Sequence, residues 1–423
     1  MSDASPHTAL SRRAAIYGLS LLTLLNFVNY IDRFILAAVL PRIREEFGLT
    51  YTQGGFIGTA FLAVYFMTSP LFGRLGDRWS RTRLMAAGVA VWSVATAAAG
   101  ITRSYGQLLL SRGVVGVGEA AYATISPALI SDYFPASRRG RVFAIFYVAI
   151  PVGSAVGYVL GGVLEQAFNS WRHVFFIVGL PGLLLALLTL TAADPQRGSQ
   201  DDLAEGIAAG QAASLREVLR DLARNGVYTW TVLGYAAYTF AIGGLGLWAP
   251  TYFNETRQLA LNDANMLVGG VAVAAGLFGT FTGGYLGDWL ARRVRQGYLL
   301  MSGVSMLLAV PFGWIALTSP DRTVYTATLF VAEFLVFLST GPINVVLVSV
   351  VPVAMRATAI AVSIFTIHLL GDLPSPALLG VVADHMGFET AALMVPAMIA
   401  VSGVIWTGTA VMGGRGDGRG RRT

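Results

Sequence analysis

The run LLLSRGVVGVGEAAYATISPALISD, residues 108–132, decides how the rest of the chain is read. It is apolar, rich in Gly and Ala, and longer than the roughly 20 residues that span a bilayer. It nevertheless contains Arg112 and Glu119. Seven residues is close to two helical turns, so the two side chains share one face, roughly 10 Å apart along the axis. Gly116 lies between them on that face. A charge at mid-membrane costs about 2.5–3.5 kcal/mol on insertion scales, and charges that persist face a bundle interior or a water-filled cavity. One reading is a structural ion pair that locks helices together. The other is a helix lining a cavity, and the small residues around the charges, which leave room for a path, favour it.

The composition places this run in an all-α membrane protein. Of 423 residues, 55% are hydrophobic and 12% charged, with mean hydropathy +0.63; soluble proteins carry about 25% charged residues. The net charge is +6 and every basic side chain other than histidine is Arg. Basic groups beside apolar spans act as topology signals and contacts for anionic membrane lipids, not as a nucleic-acid surface. There is no cysteine, and His7, His173, His368 and His385 are scattered, so no metal ligand set or cofactor is expected. The first 13 residues are polar, and the apolar run behind them is too long for a signal peptide. Neither a phosphate-binding Gly-rich loop of the Walker type nor a Ser/His/Asp constellation outside the spans is present. ATP-driven transport and hydrolysis both lose support, and no catalytic residue is assigned.

Apolar runs of spanning length recur about twelve times: 14–40, 54–73, 84–102, 105–133, 142–168, 172–193, 227–253, 263–287, 298–318, 322–351, 357–384 and 389–412. Connecting segments on one side hold 21 of the 29 Arg, those on the other hold six, and Arg33 and Arg112 fall inside spans. That bias predicts both termini in the cytoplasm of a cell (inner) membrane protein. The polar stretch 194–226 separates two sets of six, giving bundles at 1–193 and 227–412, a cytoplasmic linker, and a disordered basic tail at 413–423. Within the linker, Ser214 is a candidate cap for a short surface helix with Leu215, Val218, Leu219 and Leu222 on one side; a plain linker is the alternative reading.

The two sets repeat. Gly73-Arg74-Leu75-Gly76-Asp77-Arg78 with Arg81 returns as Gly284-Tyr285-Leu286-Gly287-Asp288-Trp289 with Arg292. Glu119 has a counterpart in Glu333, and Phe134-Pro135 with Arg139 returns as Val351-Pro352 with Arg356. Such internal repeats imply two similar bundles around a central site.

The remaining chemistry sits near that centre. In the first span Asn26, Asn29 and Arg33 share a stripe, with Asp32 about 100° away. Adjacent Asp and Arg do not face one another on a helix, so each needs a partner elsewhere: Arg112 for Asp32, and Glu119 or the cavity for Arg33. A carboxylate caught between desolvation and an arginine can load and release a proton. The alternative is a fixed network of ion pairs. The 73–83 loop supplies a candidate gating latch of Asp77, Arg78, Arg81 and Asp132. The fifth span has Gly153, Gly157 and Gly161 on one face, suited to close packing; the eighth, with Gly276, Gly279, Gly283 and Gly287, reads as its mirror. In the eleventh, His368 and Asp372 stand at i, i+4. Tyr30, Phe34, Tyr122, Tyr235, Tyr238 and Trp248 are candidate aromatic walls, with Asn26, Asn29, Glu333, His368 and Asp372 as further cavity-lining candidates.

With these residues in view, the chain resembles the major facilitator superfamily over nearly its full length, Gly73 to Arg83 matching its loop signature. The second copy has Trp289 where that signature has an arginine. Within the superfamily it is most similar to the spinster family, through Asn29-Tyr30-Ile31-Asp32-Arg33 and the run from Arg112 to Gly162. The resemblance implies two six-helix halves and alternating access. It implies a proton-coupled secondary transporter of an amphipathic anion such as a lysophospholipid or sphingoid-like lipid. By position it assigns Asp32 and Glu119 as proton-linked acids, Arg33 as their switch partner and Arg112 as a cavity cation. The rival readings are a symporter of small organic anions, with Arg33 and Arg112 clamping a carboxylate, and a non-transporting receptor on a carrier fold. The expected partners are the substrate, protons and membrane lipids, the chain acting as a monomer.

Overall fold

The computed structural model describes residues 11–200, 215–352 and 355–415, all regular elements of which are helices. The expected cap Ser214 and residues 416–423 of the basic tail lie outside them. Twelve helices are long and apolar enough to span a membrane. In chain order they are α1 (Arg12–Phe47), α2 (Tyr51–Gly76), α3 (Arg81–Ala99), α4 (Tyr105–Tyr133), α5 (Ala136–Phe168) and α6 (Trp171–Thr189). After the linker helix α7 (Leu215–Arg224) come α8 (Gly226–Glu255), α9 (Leu261–Ala291), α10 (Gly297–Thr318), α11 (Arg322–Ser349), α12 (Thr358–Met386) and α13 (Phe388–Met412).

Local chemistry sets the helix ends. Ser80, Ser104, Asn225 and Asp321 each accept a hydrogen bond from the amide three residues on, capping α3, α4, α8 and α11, as such short polar side chains do at N-termini. Pro181 begins the second piece of α6. α12 is broken by a π-turn at His368–Asp372, the kind of local irregularity found at functional positions in helices. In α7, Val218 and Leu222 are buried and Leu219 is exposed, so the expected amphipathic helix is present.

The chain forms two compact units, Met1–Arg33, Ala60–Gly153 and Ser170–Gly210 making the first, and Phe34–Thr59, Ser154–Asn169 and Gln211–Thr423 the second. The division cuts α1, α2 and α5. The first unit has its core around Leu22, Leu25, Trp92, Val115, Tyr122 and Leu129. Lipid gives helices no hydrophobic reason to associate, so backbone approach at small residues matters. Gly116 of α4 lies against α2, where an added Cβ would stand 2.5 Å from the Phe61 carbonyl. This glycine is therefore a packing contact, not open space along a path.

In the second unit, α9 does the same against α11: a Cβ on Gly279 would stand 2.7 Å from the Phe334 carbonyl. The glycines of α9 thus reproduce the α2–α4 pairing, whereas Gly153 and Gly161 of α5 lie against Phe27 and Ala38 of α1. The expected mirror relation between the fifth and eighth spans is corrected accordingly. The third repeat has a shared role. Arg139 donates to the carbonyls of Phe134 and Ser131, and Arg356 to that of Val348, so each caps the C-terminal end of the preceding span.

Candidate functional site

Four charges from α1 and α4 cross-pair in the first unit. Arg33 Nε donates to Glu119 Oε2 at 2.7 Å, and Arg112 Nη1 to Asp32 Oδ1 at 3.4 Å. The one-turn geometry of α1 explains the crossing: Asp32 and Arg33 point about 100° apart, so each meets a different residue of the α4 face. Thr96 of α3, fully buried, donates its hydroxyl to Asp32 Oδ2. Asp32, Arg112 and Glu119 are at most 1% exposed, while the Arg33 side chain keeps 20%. Arg112 is therefore walled in against Asp32 and is not the open cavity cation that was expected. Of the four, Arg33 is the group that reaches free space.

Aromatic rings complete the arrangement. The Arg33 guanidinium carbon lies 5.1 Å from the ring centres of Tyr30 and Phe61 and 5.2 Å from that of Tyr65. Phe61 also faces Arg112 at 5.6 Å. Cations over ring faces at this range gain about 0.5–2 kcal/mol, more when desolvated. Glu119 Oε1, Asn29 Nδ2 and Arg112 Nε are buried without a hydrogen-bond partner among the described residues. Glu119 thus holds Arg33 with one oxygen, and the Asn29 side chain stands beside the same carboxylate.

Comparison with known proteins gives the family. Residues 22–376 match the family described as Major Facilitator Superfamily. Protein spinster homolog 3 of Danio rerio is 32% identical over 395 residues, covering 90% of this chain and 79% of the relative. Protein spinster homolog 1 of Homo sapiens is 34% identical over 396 residues, covering 90% and 75%. The chain belongs to the spinster family of the major facilitator superfamily. It is a multi-pass membrane transporter and not an enzyme. A crystal structure of a bacterial homolog to the human lysosomal transporter spinster, inward-facing and unoccupied, shares the fold at TM-score 0.86. It is 23% identical, with 95% of this chain and 98% of that one covered. A D-xylose-proton symporter shares the fold more distantly, at TM-score 0.72 and 16% identity, covering 94% of this chain and 97% of that one.

The other candidates of this spinster-family chain divide by surroundings. Asn26 donates to the Phe146 carbonyl, and Tyr122, 1% exposed, donates to the Leu22 carbonyl while packing on Trp92. Both hold helices together and are corrected from cavity lining to packing. Tyr238 and Trp248 are likewise buried, Trp248 donating to the Pro376 carbonyl; Tyr30, Phe34 and Tyr235 are partly exposed. His368 Nδ1 lies 2.8 Å from Asp372 inside the π-turn, both half-open. Glu333 is buried with no hydrogen bond or ion pair among the described residues.

At the 73–83 loop, Arg81 Nη1 pairs with Asp132, both buried. Asp77 and Arg78 are exposed and form no ion pair among the described residues. The residues that complete this contact carry no signal in the sequence. Asp194, read as linker, accepts from the Arg81 amide at 2.8 Å and its Nε at 3.0 Å. Gly198 N donates to Asp132 at 2.8 Å, and Arg197 to the Gly76 and Trp79 carbonyls. Residues 194–199 form a strap over the loop.

At the Tyr51 end of α2, the second unit is tied by its own contacts. Arg44 pairs with Glu255 at 2.6 Å, and the Tyr51 hydroxyl donates to the same carboxylate at 2.7 Å. Asp384 accepts from the Tyr51 and Thr52 amides, both at 2.8 Å. Asn265 donates to the Ala38 carbonyl and Thr59 to that of Leu373.

Proposed function

We propose that this chain is a proton-coupled secondary transporter of an amphipathic anion, a lysophospholipid or sphingoid-like lipid, working by alternating access between halves 1–193 and 227–412. The observation that carries the reading is the crossed pairing of Arg33 with Glu119 and Arg112 with Asp32. A proton on Glu119 removes the charge that holds Arg33. The freed guanidinium, the one with access to open space, then offers charge-assisted hydrogen bonds to an anionic head group. The rings of Tyr30, Phe61 and Tyr65 around it suit the adjoining apolar part of such a substrate. Asp32, Arg112 and Thr96 form the second, deeper switch. Both termini lie in the cytoplasm of the cell (inner) membrane, in line with the arginine bias, and the transporter acts as a monomer.

The test is substrate-driven pH change in proteoliposomes for the wild type, Asp32→Asn and Glu119→Gln. Removing one partner of a buried pair strands the other charge at a cost of about 3–5 kcal/mol, so the double variant Asp32→Asn with Arg112→Gln separates coupling from stability. Loss of proton movement with retained substrate binding is expected. Full coupling in all three variants removes the acids from the mechanism. Saturation by water-soluble carboxylates with indifference to lipids would select the small organic-anion symporter, which uses the same exposed Arg33.

A further inference from the structure

A groove of about 680 Å³ runs between α3 and α4 on the outside of the first unit, away from the charge network. Ala90, Val94 and Ala98 line one side and Val114, Ser111 and Gln107 the other. The alanines recess the floor, while Val94, Ile101 and Leu110 stand exposed at its rim. From Ala90 to Ile101 the groove is eleven residues deep, about 16 Å at helical rise. The hydrocarbon core is about 30 Å thick, so this is close to one leaflet. The apolar part ends at the 100–104 turn, where Arg103 is exposed and the start of α6, with Arg172, lies against Gly100. The stretch 78–118, which holds Arg103, contains no acidic residue. At the same end Gln107 Oε1 accepts from the Arg103 amide, leaving its exposed amide nitrogen as a donor.

An apolar slot one leaflet deep, with the exposed Arg103 at its interfacial end, matches an anionic phospholipid in both length and charge. We propose that it is a specific site for an anionic phospholipid of the bilayer, one acyl chain lying between α3 and α4 and the phosphate on Arg103 and Gln107. The site is separate from the transport path and does not depend on which substrate is carried.

The test uses the full chain in nanodiscs of phosphatidylglycerol or phosphatidylcholine, followed by native mass spectrometry of retained lipid. One phosphatidylglycerol per chain is expected, with phosphatidylcholine retained at least tenfold less. Ala98→Phe fills the slot and removes the bound lipid. Arg103→Ala, which leaves the slot open and sits on an exposed turn, abolishes the preference between the two lipids. Leu110→Trp, at the exposed rim, narrows the slot without burdening the core and guards against a misfolded Ala98→Phe. Glycerol 3-phosphate added in excess leaves the bound lipid in place, because the chain and not the phosphate alone is recognised. Equal retention of both lipids overturns the proposal, as does retention unchanged by all three variants or a two-chain assembly held together through this face.

Discussion

Asp384→Ala is the most direct probe of the contacts at the Tyr51 end of α2. α2 starts at Tyr51, and a helix leaves its first four amides without intrahelical partners. Thr50 and Gln53 form a reciprocal capping box, with bonds of 3.0 and 3.2 Å. The Tyr51 and Thr52 amides depend instead on Asp384 of α12. Asp384 is exposed, so water takes over its partners when it is removed, and the cost is that of a lost cap, about 0.5–2 kcal/mol. If those two bonds exist only while this end is closed, the closed-to-open ratio falls about 2- to 30-fold, each 1.4 kcal/mol being tenfold. The chain has no cysteine, so spin labels placed at Glu45→Cys and Gln258→Cys report alone. Double electron–electron resonance in nanodiscs should show a longer-distance population growing by that factor in Asp384→Ala. Asp384→Asn, which keeps one acceptor oxygen, should shift less. An unchanged distance distribution in the alanine variant would refute the reasoning, since the carboxylate would then be holding nothing that opens.

Gly116→Ala should lower the unfolding temperature in detergent by the equivalent of about 1–3 kcal/mol of overpacking, because its Cβ meets the Phe61 carbonyl at 2.5 Å. Gly113→Ala, whose Cβ meets only Val64 Cγ2 at 3.5 Å, should be nearly neutral in the same melt. Thr96→Val keeps the shape but removes the hydroxyl that Asp32 accepts; hydrogen bonds to charged groups are worth about 1.5–3 kcal/mol, and thermal unfolding should show that loss, with Thr96→Ser restoring most of it.

Much of this was legible in the chain because the signals were expensive residues in an apolar setting. Charges inside spans must find partners, and helical periodicity said which faces they occupied; Arg112 was open to Asp32 on that ground, and Glu119 was one of two choices for Arg33. The twelve apolar runs gave the helices, and the amphipathic pattern at 215–222 gave α7. Phe61, Tyr65 and Thr96 carried no comparable signal, since an aromatic or a threonine in a membrane helix is ordinary. Tyr122 misled for the same reason: its ring faces Trp92, and sequence cannot tell which side of a helix meets a void. Gly116 looked like room because a missing side chain reads as space, whereas here it is filled by the backbone of α2. The strap at 194–199 was invisible because its bonds join residues far apart in the chain.

The strap has a mechanical consequence. Asp132 gives one oxygen to Arg81 and the other to the Gly198 amide, so a single carboxylate holds both the loop and the start of the tether between the halves. Motion that pulls Arg81 away disturbs the seat of Gly198, and a pull on residues 194–199 is delivered to Arg81. Loop and strap therefore answer to one another as a single mechanical piece, and a change at either is felt at both.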